Sequence, residues 1–235
     1  MNSDQKNLRS LLTNVATSNY ASFMQKLEPN IKVLGVNSAN IKKVAKLVMK
    51  NSTRCFEISK LTLDEPYLEE LMVQAYIIAH LKVENRIELV DKFLQNLRGW
   101  ALCDFLCSEL KEAKEKHNIY WIYIKSKFSS KKPAYVRFAA VMSLKYFILD
   151  EYKDEIFFFI KRIDYKEYYL SMGVAWLIST LYLKFPEESL NILRNEKIDC
   201  KMRLMAIQKI IDSLKVSSYD KEKLKILRCQ MREKN

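Results

Sequence analysis

Apolar residues recur at helical spacing along nearly the whole chain. Val44, Leu47 and Val48 form one stripe, Leu71, Ala75, Ile78 and Ala79 a second, and Ile87, Val90, Phe93, Leu94 and Leu97 a third. Steps of three and four residues place each set on one side of a helix, facing a core. Polar or turn-prone stretches interrupt the pattern at residues 30–40, 51–57, 62–66, 129–133, 164–166, 185–187 and 216–220. These breaks predict about a dozen helices of roughly ten to eighteen residues with no long linker. Only three glycines and four prolines are present, too few for the tight turns of a sandwich or barrel. The expected fold is therefore all-α. Helices of this length suggest an α-solenoid of about six antiparallel pairs of roughly 40 residues, the size of HEAT-type units. That expectation rests on length, because no internal motif recurs cleanly. It treats residues 1–235 as a single domain.

Composition narrows the function classes. A hydrophobic content of 49% supplies a continuous core, so disorder is not the default. The formal charge of +12, from 40 basic against 28 acidic residues, points to a polyanionic partner. Residues 197–235 carry eleven of the basic and five of the acidic residues, a net +6 that is half the total. Lys201, Arg203, Lys209 and Lys215, followed by Lys221, Lys223, Lys225, Arg228, Arg232 and Lys234, are the side chains a phosphate-gripping concave face would need; a solvated tail helix would look the same. No stretch approaches the roughly 18 apolar residues of a membrane span, and residues 1–9 are too polar for a signal peptide, so a cytoplasmic protein is expected. Five cysteines without a C-x-x-C pair, and only His80 and His117, predict reduced thiols with neither disulfide framework nor metal site, and no cofactor is expected.

Three segments hold residues unusual for a helical core. Trp100 and Asp104 stand four apart in DKFLQNLRGWALCDFLCSE, which puts indole and carboxylate on one helix face. An aspartate among Ala101, Leu102, Phe105 and Leu106 needs a partner or a purpose; a hydrogen bond to a neighbouring helix end, with Trp100 as core, is the plain alternative. Arg137 interrupts the apolar run AYVRFAAVMSLKYFIL, with Lys145 eight residues on. The two could present cations to a groove, or Arg137 could pair with Asp104 or another carboxylate. Trp176 sits in EYYLSMGVAWLISTLYL, apolar all round, where core packing is the usual role. Gly173, one turn earlier, allows a close approach.

In order and wording these segments resemble the HEAT-like DNA glycosylases of the AlkD type, in the DNA alkylation repair family. The resemblance is carried by PNIKVLGVNSANIKKVAK, the W-x-x-x-D of Trp100 and Asp104, the VRFAAV around Arg137, YYLSMGVAWLIS around Trp176, and the basic ending. It implies a solenoid that holds duplex DNA by its backbone without a base-flipping pocket. Asp104 would be the catalytic carboxylate, Trp100 and Trp176 would lie against the lesion, and Arg137 and Lys145 would contact the DNA backbone, joined by Lys201, Arg203 and Lys209. The wording of PNIKVLGV and YYLSMGVAWLIS is closest to a branch with a reduced N-terminal recognition helix, where SNYASFMQKLEPNIKV offers Tyr20 and Phe23 as lesion-facing aromatics.

The chemistry implied is coherent on its own terms. A purine alkylated at N3 or N7 is cationic and leaves easily, so a carboxylate that stabilises the developing oxocarbenium ion and positions water is enough, and no histidine acid is required. Indole faces favour such cations by roughly 0.5 to 2 kcal/mol. The expected activity is monofunctional excision of cationic N3- or N7-alkylated purines from duplex DNA by a monomer. The alternative is a noncatalytic HEAT-like module that binds nucleic acid or protein through the same surface.

Overall fold

A computed structural model describes residues 3–82 and 86–233 of the chain, and every regular element among them is helical. The chain forms two compact units, Met1–Glu112 and Ala113–Asn235. In the first lie α1 (Ser3–Thr13), α2 (Ser18–Leu27), α3 (Ser38–Val48), α4 (Ser52–Lys60), α5 (Leu68–His80), α6 (Arg86–Leu94) and α7 (Gly99–Glu109). In the second lie α8 (His117–Phe128), α9 (Pro133–Tyr146), α10 (Asp150–Ile160), α11 (Tyr168–Tyr182), α12 (Pro186–Arg194), α13 (Cys200–Asp212) and α14 (Ser218–Glu233).

Each unit is organised around one helix that is buried along most of its length. In the first unit α5 is buried from Leu68 to Ala79 and packs against both α3 and α7. In the second, α11 buries Leu170, Val174, Ala175, Leu177, Ile178 and Leu181 and packs along both α9 and α13. Alternate helices thus form a row within each unit, α3–α5–α7 and α9–α11–α13, with α4 and α6, or α12, packed on the central helix. This is the neighbour pattern of an α-solenoid. Burying each large aliphatic side chain of such a central helix stabilises the unit by about 1.5–3 kcal/mol, so Ile178→Asp would unfold the second unit.

Some helix ends are capped by their own residues and others are satisfied from neighbouring helices. Asn37 and Asp199 cap α3 and α13 with their own side chains. By contrast, α7, α9 and α11 begin without a side-chain cap from the preceding residue. Orphan amides and carbonyls at such ends need other partners. Gln74 of α5 supplies one set, its Nε2 donating to Ile58 O at 2.9 Å and Leu61 O at 2.8 Å at the end of α4.

The segment 51–57, expected as a break, is helical in its larger part, because α4 runs from Ser52 to Lys60. Its buried apolar residues are only Cys55 and Ile58, too sparse a stripe to read as periodic. Conversely, no break was expected between residues 66 and 129, yet helix is interrupted between Leu94 and Gly99. Leu47, placed in a core stripe, is 49% exposed. The cysteines are free thiols, with Cys55, Cys103 and Cys107 buried. No helix is long and apolar enough to cross a membrane among the described residues.

Candidate functional site

The first unit contains a cleft of about 660 Å³ walled by α2, α3, α5 and α7. Tyr20, Trp100, Asp104 and Phe105 line it, with Lys26 and Lys42 and three further carboxylates, Glu28, Glu69 and Glu109. The structure therefore brings together Trp100, Asp104 and Tyr20, predicted from separate segments. Trp100 is 37% exposed, so it is not the core residue of the plainer alternative, and Asp104 is half-buried one turn along the same helix face. Ser108, a further turn on, donates its hydroxyl to the Asp104 carbonyl at 2.6 Å. Phe23 is 55% exposed and does not line the cleft.

The three other carboxylates already have donors. Glu28 is buried and accepts from the amides of Trp100 at 2.7 Å and Ala101 at 2.6 Å. Glu69 is buried and accepts from three successive amides, Leu34 at 2.9 Å, Gly35 at 2.8 Å and Val36 at 3.1 Å. Glu109 pairs with Lys42 at 2.7 Å and lies 3.7 Å from His80 Nε2. Tyr76 stacks on His80, and burial, with the nearby Glu109 charge, pushes its phenol above the ordinary value. Among the described residues no group of three or more His, Cys, Asp or Glu side chains is placed to hold a metal ion.

Two glycines shape this region. Gly35 has φ +95°, and a Cβ there would lie 2.3 Å from Thr17 O. Gly99 has φ +71°, and a Cβ there would lie 1.6 Å from Glu28 Oε2. A side chain would be strained by the positive φ at either position; it would meet backbone at Gly35 and push the Glu28 carboxylate aside at Gly99. Glu28, Glu69, Lys42, Glu109, Gly35 and Gly99 were not singled out from the sequence. The available signals were the acids inside the apolar run LEELMVQAYIIAH, which demand partners when buried, and the scarcity of glycine, which makes each one informative.

In the second unit the neighbouring helices α9 and α11 bring Arg137 and Lys145 beside Gly173 and Trp176. Arg137 is 1% exposed; its Nη1 donates to Tyr169 O at 3.1 Å and its guanidinium lies 4.7 Å from the Tyr169 ring centre. Gly173 makes room for it, since a Cβ there would lie 3.0 Å from Arg137 Cγ. The close approach expected at Gly173 is thus made by a side chain of the same unit. Lys145 is half-buried, its ammonium 6.0 Å from the Trp176 ring centre. Trp176 is half-buried too, whereas an all-apolar helix had suggested a deep core position.

These placements correct the expectation of two cations on one exposed edge: Arg137 is enclosed and only Lys145 reaches solvent. Arg203 is a second correction. It is buried, and its guanidinium donates to Ile198 O at 3.0 Å and Leu193 O at 3.2 Å, satisfying carbonyls at and beyond the end of α12. A guanidinium held there is engaged by the backbone of its own unit rather than displayed at the surface. Lys201 is exposed and Lys209 half-buried on the same helix, and Lys234 of the basic ending lies outside the described residues.

Helices paired in this alternating pattern define an α-solenoid-like protein, and its first unit has a tryptophan and an aspartate one turn apart at an open cleft. The chain belongs to the DNA alkylation repair enzyme family, whose model matches residues 5–205. Membership supports a role in DNA alkylation repair, with DNA as the partner. No curated protein sequence matches the chain.

Proposed function

We propose that the protein is a monofunctional DNA glycosylase that hydrolyses the N-glycosidic bond of cationic N3- or N7-alkylated purines in duplex DNA. The observation carrying this reading is the placement of Trp100 and Asp104, one turn apart on α7, at a cleft that Tyr20 also lines. The cleft is open, and its lining mixes aromatic and apolar side chains with charged ones. We infer that the site selects by charge and lability. An N3- or N7-alkylpurine carries positive charge, which an indole face and a carboxylate both favour.

In the reaction the C1′–N bond breaks, and its electron pair leaves with the cationic base, which departs neutral. Asp104 stabilises the oxocarbenium charge left on the sugar and orients water towards C1′; the proton released as the C1′–O bond forms passes to the carboxylate or to solvent. Trp100, and Tyr20 across the cleft, bound the space for the lesion. In the second unit, Trp176 with Lys145 above it, together with Lys201 and Lys209, offers aromatic and cationic contacts to nucleotide and phosphate.

The test is release of 3-methyladenine or 7-methylguanine from alkylated duplex under single turnover. Asp104→Asn should slow release by about 10²–10³-fold while helical content and melting are retained. An Asp104→Asn protein as active as wild type would overturn the assignment. The noncatalytic alternative is favoured by the basic excess of residues 197–235, which needs no chemistry. It expects salt-sensitive duplex binding and no base release from the wild-type protein.

A further inference from the structure

Helix α7 carries both residues of the proposed chemistry, yet it begins in an unusual way. Arg98, which precedes it, gives no side-chain cap, and Gly99 enters the helix with φ +71°. The first amides of a helix have no intrahelical partner and ordinarily face water or a cap from the residue just before. Here the partner comes from 72 and 73 residues away in sequence: one oxygen of Glu28, at the end of α2, accepts from both Trp100 N and Ala101 N. Glu28 is 4% exposed, so its charge is balanced by these amides and by the positive end of the helix. The fit is close enough that any side chain at position 99 would displace the carboxylate.

We propose that Glu28 is the positioning residue of the Asp104 site. Holding the amide of Trp100 sets where α7 begins, and therefore where the Trp100 indole and, one turn on, the Asp104 carboxylate stand relative to Tyr20. Tyr20 belongs to the helix that Glu28 terminates, so one carboxylate ties the N-terminal wall of the cleft to its chemical wall. Glu28 itself touches no reacting atom, being occupied by α7. This inference deepens the proposed glycosylase reading and rests on it for its kinetic arm.

The experiment compares wild type with Glu28→Gln and Glu28→Ala by amide hydrogen exchange and by single-turnover base release with duplex affinity measured alongside. In wild type the Trp100 and Ala101 amides should be protected, although they lie in a first helical turn. Glu28→Ala should speed exchange at these two amides by about 10²-fold or more, through local opening of the helix start. Release should slow by about 10–10²-fold, as expected for a reacting group displaced by about 1 Å, with duplex affinity held within about twofold. Glu28→Gln keeps one acceptor oxygen and should restore protection, and release to within about threefold of wild type. If Glu28→Ala does not fold, Glu28→Asp, one methylene short of both amides, takes its place with the same expectations.

Unchanged protection in the alanine or aspartate variant overturns the proposal, as does a loss of rate that merely follows a loss of DNA affinity. A glutamine variant that keeps protection but is as slow as alanine also overturns it. A wild-type protein that shows the protection pattern but releases no base counts against the glycosylase reading and for the Glu28 anchor.

Discussion

The buried acids of the first unit follow one rule: each carboxylate is enclosed only where donors have been arranged around it. Glu70 takes Arg9 on both oxygens, at 2.9 and 3.0 Å, and also the Tyr67 amide at 2.9 Å. That pairing holds the Arg9 guanidinium above its ordinary value, the Glu70 hydrogen bond being the main cause. Glu69, one residue earlier on the helix, has no cation partner among the described residues; three consecutive amides of the loop between α2 and α3 converge on it instead. The segment PNIKVLGV, which carried part of the family resemblance, thus has a physical content: it is the loop that wraps this carboxylate, and Gly35 is its turning point. Glu69→Gln replaces one acceptor oxygen with an NH2 group that must face an amide donor. We expect this change to lower unfolding free energy by about 1–3 kcal/mol in urea titration, with the loss concentrated in the first unit. A glutamine variant as stable as wild type would show that the amides do not depend on a carboxylate.

At the scale of elements, the order of the helices was legible in the sequence because most of them bury a stripe at steps of three and four. What escaped were features set by neighbours. The helix α4 is short and polar, and it is held by Gln74 reaching to its last carbonyls from α5, so nothing in its own residues announces it. The start of α7 is set by Glu28, which lies outside any window of sequence that contains Trp100. Trp100 and Asp104 were readable as a pair because both lie on one helix, four residues apart; the acids and glycines that build the cleft around them come from separate helices and loops. Arg137 read either as a groove-facing cation or as half of an ion pair, and Arg203 as a phosphate-gripping one, since a sequence shows charge but not the carbonyls that receive it.

The helices α8 and α10 give a prediction of their own. Glu155 of α10 accepts from Trp121 Nε1 at 2.5 Å and pairs with Lys125 at 3.1 Å. Burial pushes its carboxyl up, but those two hydrogen bonds and the lysine charge outweigh burial and leave it below its ordinary value of 4.5. A carboxyl lowered on folding stabilises the protein fully above the unfolded value, and the contribution fades as pH falls through the folded one. Melting temperature should therefore drop more steeply in wild type than in Glu155→Gln as pH is taken from 5 towards 3, on the order of the span over which such groups protonate. Equal slopes would mean that the contact with α8 is equally strong in both charge states.

For the whole molecule, the relevant quantity is where its +12 charge can act. Total basicity overstates the DNA-facing part, because some cations are enclosed and others are paired, as Lys42 is with Glu109 and Lys153 with Glu188. The buried Arg203 and the exposed Lys201 stand two residues apart on α13, so one turn of helix holds an enclosed cation beside an accessible one. Each lysine that meets a phosphate contributes a slope of about 0.9 to the fall of log affinity with log salt. Lys201→Gln and Lys209→Gln should each lower that slope by about 1 for unmodified duplex, with melting unchanged. Arg203→Met should leave the slope alone and reduce stability by about 1–3 kcal/mol, because two carbonyls lose their donor. Fluorescence anisotropy over a salt series, run beside thermal melts, reads both effects. If Arg203→Met lowered the slope as much as Lys201→Gln, its guanidinium would have to leave the core to meet DNA, and the division between fold-supporting and phosphate-facing cations on this helix would fail.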